Sequence, residues 1–131
     1  MSQSEIEIVM SFVGTDAVVK GNMLRLEAPL TIQKLMDKSP FTVRSRGNIG
    51  SPKTFWMLLV DIKKGAERKD YKGAKPGDIV YCPRQDAVFV IYGDNPKINL
   101  PVFYLGQVSE GLESLGSLRN GTMVQIKVTP L

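Results

Sequence analysis

Residues 77–96 read GDIVYCPRQDAVFVIYGDNP, and residues 100–118 read LPVFYLGQVSEGLESLGSL. Two apolar runs, Asp78 to Cys82 and Ala87 to Tyr92, are fenced by turn formers: Pro76, Gly77 and Asp78 before the first, Pro83 after it, GDNP after the second. A third run, Pro101 to Val108, leads into EGLESLGSL, where Leu112, Leu115 and Leu118 recur on one helical face behind Ser109. That spacing predicts a short helix with Ser109 as its cap. Three strands followed by a helix point to a β domain.

Toward the N-terminus, EIEIVMSF (Glu5 to Phe12) alternates Ile6, Ile8, Met10 and Phe12 against Glu5 and Glu7, the pattern of a half-buried strand. Ala17 to Leu26 is a second strand, broken by Lys20, Gly21 and Asn22, where a bend or bulge is expected. After Pro29, TIQKLMDK puts Ile32, Leu35 and Met36 on one side of a helix that Thr31 would cap and that ends before Pro40. FTVRSR (Phe41 to Arg46) sets Phe41, Val43 and Ser45 opposite Thr42, Arg44 and Arg46, and Gly47 to Pro52 ends it. TFWMLLV (Thr54 to Val60) is apolar on both faces and is expected to be the most buried strand. Asn120 and Gly121 turn the chain into a closing strand, TMVQIKV. Eight short strands with two short helices predict a mostly β, closed antiparallel barrel, one domain over residues 1–131, with a helix over each open end. Closure removes the sheet edges.

The chain has 131 residues, no histidine and one cysteine, Cys82. Histidine-dependent acid–base chemistry is excluded, and no metal or other cofactor is expected. The first twenty residues lack a secretory pattern and no apolar run nears the roughly twenty residues that span a bilayer, so a soluble cytoplasmic protein is expected. Basic residues number 17 and acidic ones 13. Lys63 to Lys75 holds six of the former and two of the latter, which leaves the remainder balanced at eleven of each sign. Any polyanion would meet the chain at that loop.

The strand order resembles the cyclophilin barrel. Val102, Phe103, Gly106, Gln107, Val108, Glu110, Gly111 and Leu112 are similar to that family's strand-and-helix signature. Gly77, Asp78, Tyr81, Pro83, Phe89 and Gly93 resemble the pattern of small prokaryotic cyclophilin-like proteins of unassigned function. The resemblance implies a ligand or peptide surface. The Phe-His-Arg and Gln-Gly-Gly-Asp runs of the family's isomerases are missing: with Phe41 on the family's phenylalanine, Val43 takes the catalytic position and Arg44 faces the other way. The family's phenylalanine pair becomes Phe89 and Val90.

Candidate ligand-binding residues are Arg44, Met57, Tyr81, Phe89 and Tyr104, with Tyr81 and Tyr104 as pocket hydroxyls. The simpler reading of Arg44 and Arg46 is solvated outer-face charge, and that of the aromatics is core. Cys82 reads as a buried packing residue, and Asp86 and Asp94 as turn residues. The expected function is a module binding a small molecule or a proline-containing peptide. One alternative is a weak peptidyl-prolyl isomerase, with Arg44 polarising the amide and Phe89 with Met57 holding the proline. Another is an adaptor for an anionic partner through Lys63 to Lys75. Nucleic acid is not favoured, because that loop carries one aromatic and two acids and reads as a mobile solvated segment.

Overall fold

The computed structural model describes residues 5–47, 54–94, 96 and 98–130. Its strands are β1 (Glu5–Phe12), β2 (Val18–Leu24), β3 (Phe41–Gly47), β4 (Phe55–Leu58), β5 (Asp78–Cys82), β6 (Ala87–Ile91), β7 (Phe103–Glu110) and β8 (Met123–Pro130). They close into an antiparallel barrel in the order β1-β2-β7-β5-β6-β4-β3-β8. The alternation read in the sequence fills it: Ile6, Ile8, Met10 and Phe12 of β1 and Val124, Ile126 and Val128 of β8 are buried, while Gln125 and Lys127 are exposed. A one-residue slip would turn these rows inside out, so the core fixes the register.

The expected irregularity in β2 is a bulge between Lys20 and Gly21, where pairing with β7 shifts. Across it, Gly106 of β7 lies so close to β2 that an added Cβ would collide with the Asn22 carbonyl and sit 2.7 Å from the Met23 Cα. Both obstacles are backbone.

Helix α1 (Pro29–Lys38) buries Ile32 and Leu35 at the barrel end near Glu5, and a 3-10 helix (Leu112–Ser117) buries Leu115 at the opposite end. Two caps differ from expectation. Thr31 lies inside α1, whose N-cap position is Ala28, a residue whose methyl group can make no hydrogen bond. Ser109 belongs to β7, and Gly111 at φ +85° separates that strand from a helix only six residues long. Leucines repeating every third residue suit the three-residue turn of a 3-10 helix better than an α-helix.

Burial also differs from expectation. Only Phe55–Leu58 of the Thr54 to Val60 run is strand, and the strands buried at every position are β5 and β6. Their outward side chains Val80, Cys82, Phe89 and Ile91 form a second apolar cluster with Phe55 and Val102, outside the barrel, against which Leu59, Tyr71, Ala74, Ile98 and Leu100 pack. The chain that covers this face is residues 59–77, hereafter the strap, with help from 98–102. Of the predicted breaks, 48–52 and Asn95 lie outside the described residues.

The strap is not the free solvated loop its charge suggests. Glu67 reaches the start of α1, where its carboxylate accepts from the Leu30 N–H at 2.9 Å, the Thr31 N–H at 2.8 Å and the Thr31 hydroxyl at 2.8 Å. It is the cap that Ala28 cannot be, and its charge suits the positive end of the helix dipole. Asp86, at φ +52°, accepts from the backbone of Ile62 and Lys63 at 3.0 Å and from the Tyr81 hydroxyl at 2.7 Å. Lys38 Nζ donates to the carbonyls of Val60 and Asp61 at 2.6 and 3.2 Å.

Two outcomes are expected. Gly106→Ala forces β2 and β7 apart and lowers stability by about 1–3 kcal/mol, read as a fall in the urea midpoint. An unchanged midpoint would show that the two strands can separate freely. For Glu67, partial burial alone would raise the carboxyl pKa, but the hydrogen bonds from Leu30 and Thr31 and the nearby Lys64 charge bring it below its ordinary 4.5. Its stabilisation is therefore complete above that value and is lost as pH falls through the lower folded one. Glu67→Ala should cost about 1 kcal/mol at neutral pH, and the gap from the parent should close on acidification in parallel denaturation curves.

Candidate functional site

Between the strap and β7 runs an open groove of about 580 Å³, bounded by Glu27, Arg68, Lys69, Asp70, Tyr71, Phe103 and Tyr104. Its walls are held by the strap's own polar residues. Arg68 donates through Nε to the Glu27 carbonyl at 2.7 Å and through Nη2 to the Leu26 carbonyl at 2.8 Å, binding the strap to a short 3-10 turn (Arg25–Glu27). Asp70 Oδ1 accepts from the Val102 N–H at 3.0 Å, and the Tyr71 N–H donates back to the Val102 carbonyl at 2.7 Å. That pair fastens the strap beside the start of β7.

Tyr71 enters beneath the strap. Its hydroxyl donates to Oδ2 of the fully buried Asp78 at 2.8 Å, and Asp78 also accepts from the Lys75 N–H at 3.1 Å and from Gln107 Nε2 at 3.3 Å. Burial, then the hydrogen bond and charge of Asp78, push the Tyr71 pKa up to about 12. The Tyr71 ring meets Tyr104 edge-on, with centroids 5.4 Å apart and planes at 65°. Tyr104 is half-buried, and burial followed by the Asp78 and Glu27 charges raises its pKa. Among the described residues its hydroxyl has no hydrogen-bond partner, nor do the Glu27 carboxylate and the Lys69 ammonium. The groove thus offers a neutral phenol, an acid and a base beside two aromatic rings.

The five residues picked from sequence separate by face. Met57 stands opposite Phe89, Phe89 opposite Val80, and Val80 opposite Tyr104, a row across the outside of β4, β6, β5 and β7. Arg44 is exposed on β3, two positions from Arg46, which pairs with Met57. Of this row, Tyr104 lines the groove. Phe89 is 2% exposed and stacks on Phe55 at 4.7 Å and 21°, sealed in the cluster that the strap covers. Tyr81 turns the other way, into the barrel, fully buried with its ring 5.5 Å from Phe103 and its hydroxyl donated to Asp86. Burial and that hydrogen bond raise its pKa, so it is a structural phenol.

Sequence reading missed Glu67, Arg68, Asp70 and Asp78. Two of them are the acids inside the basic run, and that isolation was the available signal. With both acids engaged, Lys63, Lys69, Lys72 and Lys75 stay exposed, while Tyr71, the aromatic of that run, is committed to Asp78. Cys82 is fully buried, and desolvation raises its thiol pKa despite opposing contributions from Gln85 and Arg84, as suits a packing residue. Among the described residues, no group of three or more Cys, Asp and Glu could hold a metal ion, and no helix is long and apolar enough to cross a membrane.

No protein-family model matches the chain, and a search of curated proteins finds no match. Solved structures do resemble it. A hypothetical protein from Archaeoglobus fulgidus, determined in solution, superposes with a TM-score of 0.74 at 17% identity, covering 96% of each chain. McbB, solved in complex with tryptophan, superposes with a TM-score of 0.73 at 16% identity over 92% of this chain and 44% of that one. At such identities the likeness is one of fold, and it establishes the eight-stranded barrel as an architecture shared with both.

Proposed function

We propose that this cyclophilin-like barrel is a cytoplasmic binding module for a small molecule or a peptide segment, taken up in the groove between the strap and β7. The observation that carries the reading is Tyr104: a half-buried phenol without a partner among the described residues, in a cleft of about 580 Å³. Ligand pockets commonly span about 300–1,000 Å³ and combine apolar walls with a few placed polar groups. Glu27 and Lys69, on the same walls, suit a ligand carrying both an ammonium and a carboxylate. The tyrosine pair suits an aromatic or apolar body. McbB was solved with tryptophan, a molecule of that description, which makes tryptophan a reasonable probe here.

An isomerase reading is less favoured. It asks Phe89 and Met57 to hold a proline ring, yet Phe89 is 2% exposed beneath the strap-covered cluster. A protein-dependent rise in proline-peptide isomerisation that disappears in Arg44→Ala would reverse that preference.

L-tryptophan titrated into the labelled protein should shift the backbone amide resonances of Arg68 to Tyr71 and of Phe103 and Tyr104 saturably. Tyr104→Phe, which keeps the ring, should weaken the interaction by about fivefold. If neither tryptophan nor a proline-containing peptide shifts those amides, the groove is not a binding site.

A further inference from the structure

At the end of the barrel covered by the Leu112–Ser117 helix lies a separate cavity of about 270 Å³, bounded by Gly47, Trp56, Tyr92, Leu115, Leu118, Arg119 and Asn120, among others. None of these residues borders the groove beside the strap. Trp56, the chain's single tryptophan, forms one wall and is 2% exposed. Its indole N–H is buried and meets no acceptor among the described residues. A buried donor without a partner carries its full desolvation cost, and native proteins keep few of them. The ring is seated here at the expense of a neighbour: a Cβ on Gly47 would lie 2.6 Å from Trp56 Cζ3. Phe12 holds it from another side, edge-on at 6.4 Å.

Two side chains at this cavity have donors to spare. Asn120 spends its carbonyl oxygen on the Gly47 N–H at 2.6 Å, which leaves its amide NH₂ to donate. Arg119 contributes a guanidinium whose nitrogens have no partner among the described residues, and Tyr92 adds a half-buried hydroxyl. No aspartate or glutamate is among the described lining residues. Leu115, Leu118 and the Trp56 ring supply an apolar wall. Donors without a balancing acid select an acceptor, and an anionic acceptor most strongly, because charge-assisted hydrogen bonds exceed neutral ones.

We propose that this cavity is a second binding site, for a small monocarboxylate with a compact apolar body: the carboxylate meets Arg119 and the Asn120 amide, and the body enters beside the half-buried Leu118 and Tyr92, with the nearly buried Leu115 and Trp56 forming the floor. The site is independent of the groove, where acid and base are both present and a zwitterion fits better. Its size sets an upper limit as well. At about 270 Å³ it falls just below the usual range of drug-sized pockets, so the ligand is a single ring or a short chain.

The lone tryptophan makes the test specific. Benzoate, titrated into the full chain, should change Trp56 emission saturably, and because the ring is 2% exposed, collisional quenching from solvent does not imitate this. Benzyl alcohol, the same body without the charge, should bind about tenfold more weakly. Arg119→Gln, at an exposed position where folding is safe, should abolish that preference for benzoate. Amide shifts on benzoate addition should centre on Leu115 to Asn120. The proposal is overturned if emission does not saturate, if the alcohol binds as well as the acid, if Arg119→Gln leaves the preference intact, or if the shifts centre on Arg68 to Tyr71. Those four results speak to this cavity alone, since tryptophan binding in the groove is read from a different probe and different amides.

Discussion

Strands β5 and β6 are apolar on both faces, and a closed barrel can bury only one of them. Val80, Cys82, Phe89 and Ile91 point outward, and with Phe55 and Val102 they would leave a contiguous greasy face in water unless something covered it. Residues 59–77 cover it. Full burial of a side chain such as Val, Ile or Phe is worth about 1.5–3 kcal/mol, whereas a capping or turn hydrogen bond is worth about 1 kcal/mol. The apolar seal therefore supplies most of the energy that holds the strap down. The polar ties decide where it sits: Glu67 at the start of α1, Arg68 on the Leu26 and Glu27 carbonyls, Asp70 on Val102, Tyr71 on Asp78. The groove is a by-product of that placement, one wall being strap and the other β7.

The barrel was readable because strands announce themselves locally. Period-two alternation in β1, β3 and β8, turn residues at Pro83 and Asn120–Gly121, and the interruption at Lys20–Asn22 each depend on neighbours a few residues away. The helix caps were less readable because they are not local. Ala28 at the N-cap and Pro29 behind it show that α1 lacks a cap of its own, but nothing near them names Glu67, 37 positions beyond the Leu30 it accepts from, as the substitute. The same distance hid the strap's role: a run of lysines looks solvated, and its two acids look like ordinary charge balance until Leu30, Thr31 and Val102 are brought beside them.

Alternation also explains why the candidate residues split as they did. Tyr81 and Tyr104 look equivalent as hydroxyls in the sequence, but Tyr81 sits on the inward parity of β5 while Tyr104 sits on the outward parity of β7, opposite Val80. The irregularity between Ile79 and Val80 keeps both assignments consistent by letting one residue of β7 pass unpaired. Sequence periodicity could separate two faces within one strand. It could not match the faces of two strands across a bulge, and that matching decides which tyrosine reaches solvent.

Charge then distinguishes the two hollows. In the groove, Glu27 and Asp70 stand beside Arg68 and Lys69, and the Arg68 and Asp70 side chains are already bound to backbone. The free field there is close to neutral, which suits a ligand whose own charges cancel. At the barrel mouth Arg119 is the charged residue among the described lining residues, and it stands beside Asn120, whose carbonyl oxygen is engaged by the Gly47 N–H and whose NH₂ is left to donate. A partly enclosed site keeps more of that field than an exposed lysine does in screened water. The strap's lysines therefore account for the basic pI without making that loop the most selective anion site. The single arginine beside Trp56 has the stronger claim because it stands, without a partner among the described residues, at a cavity with an apolar wall, where a ligand's own body would cover the contact.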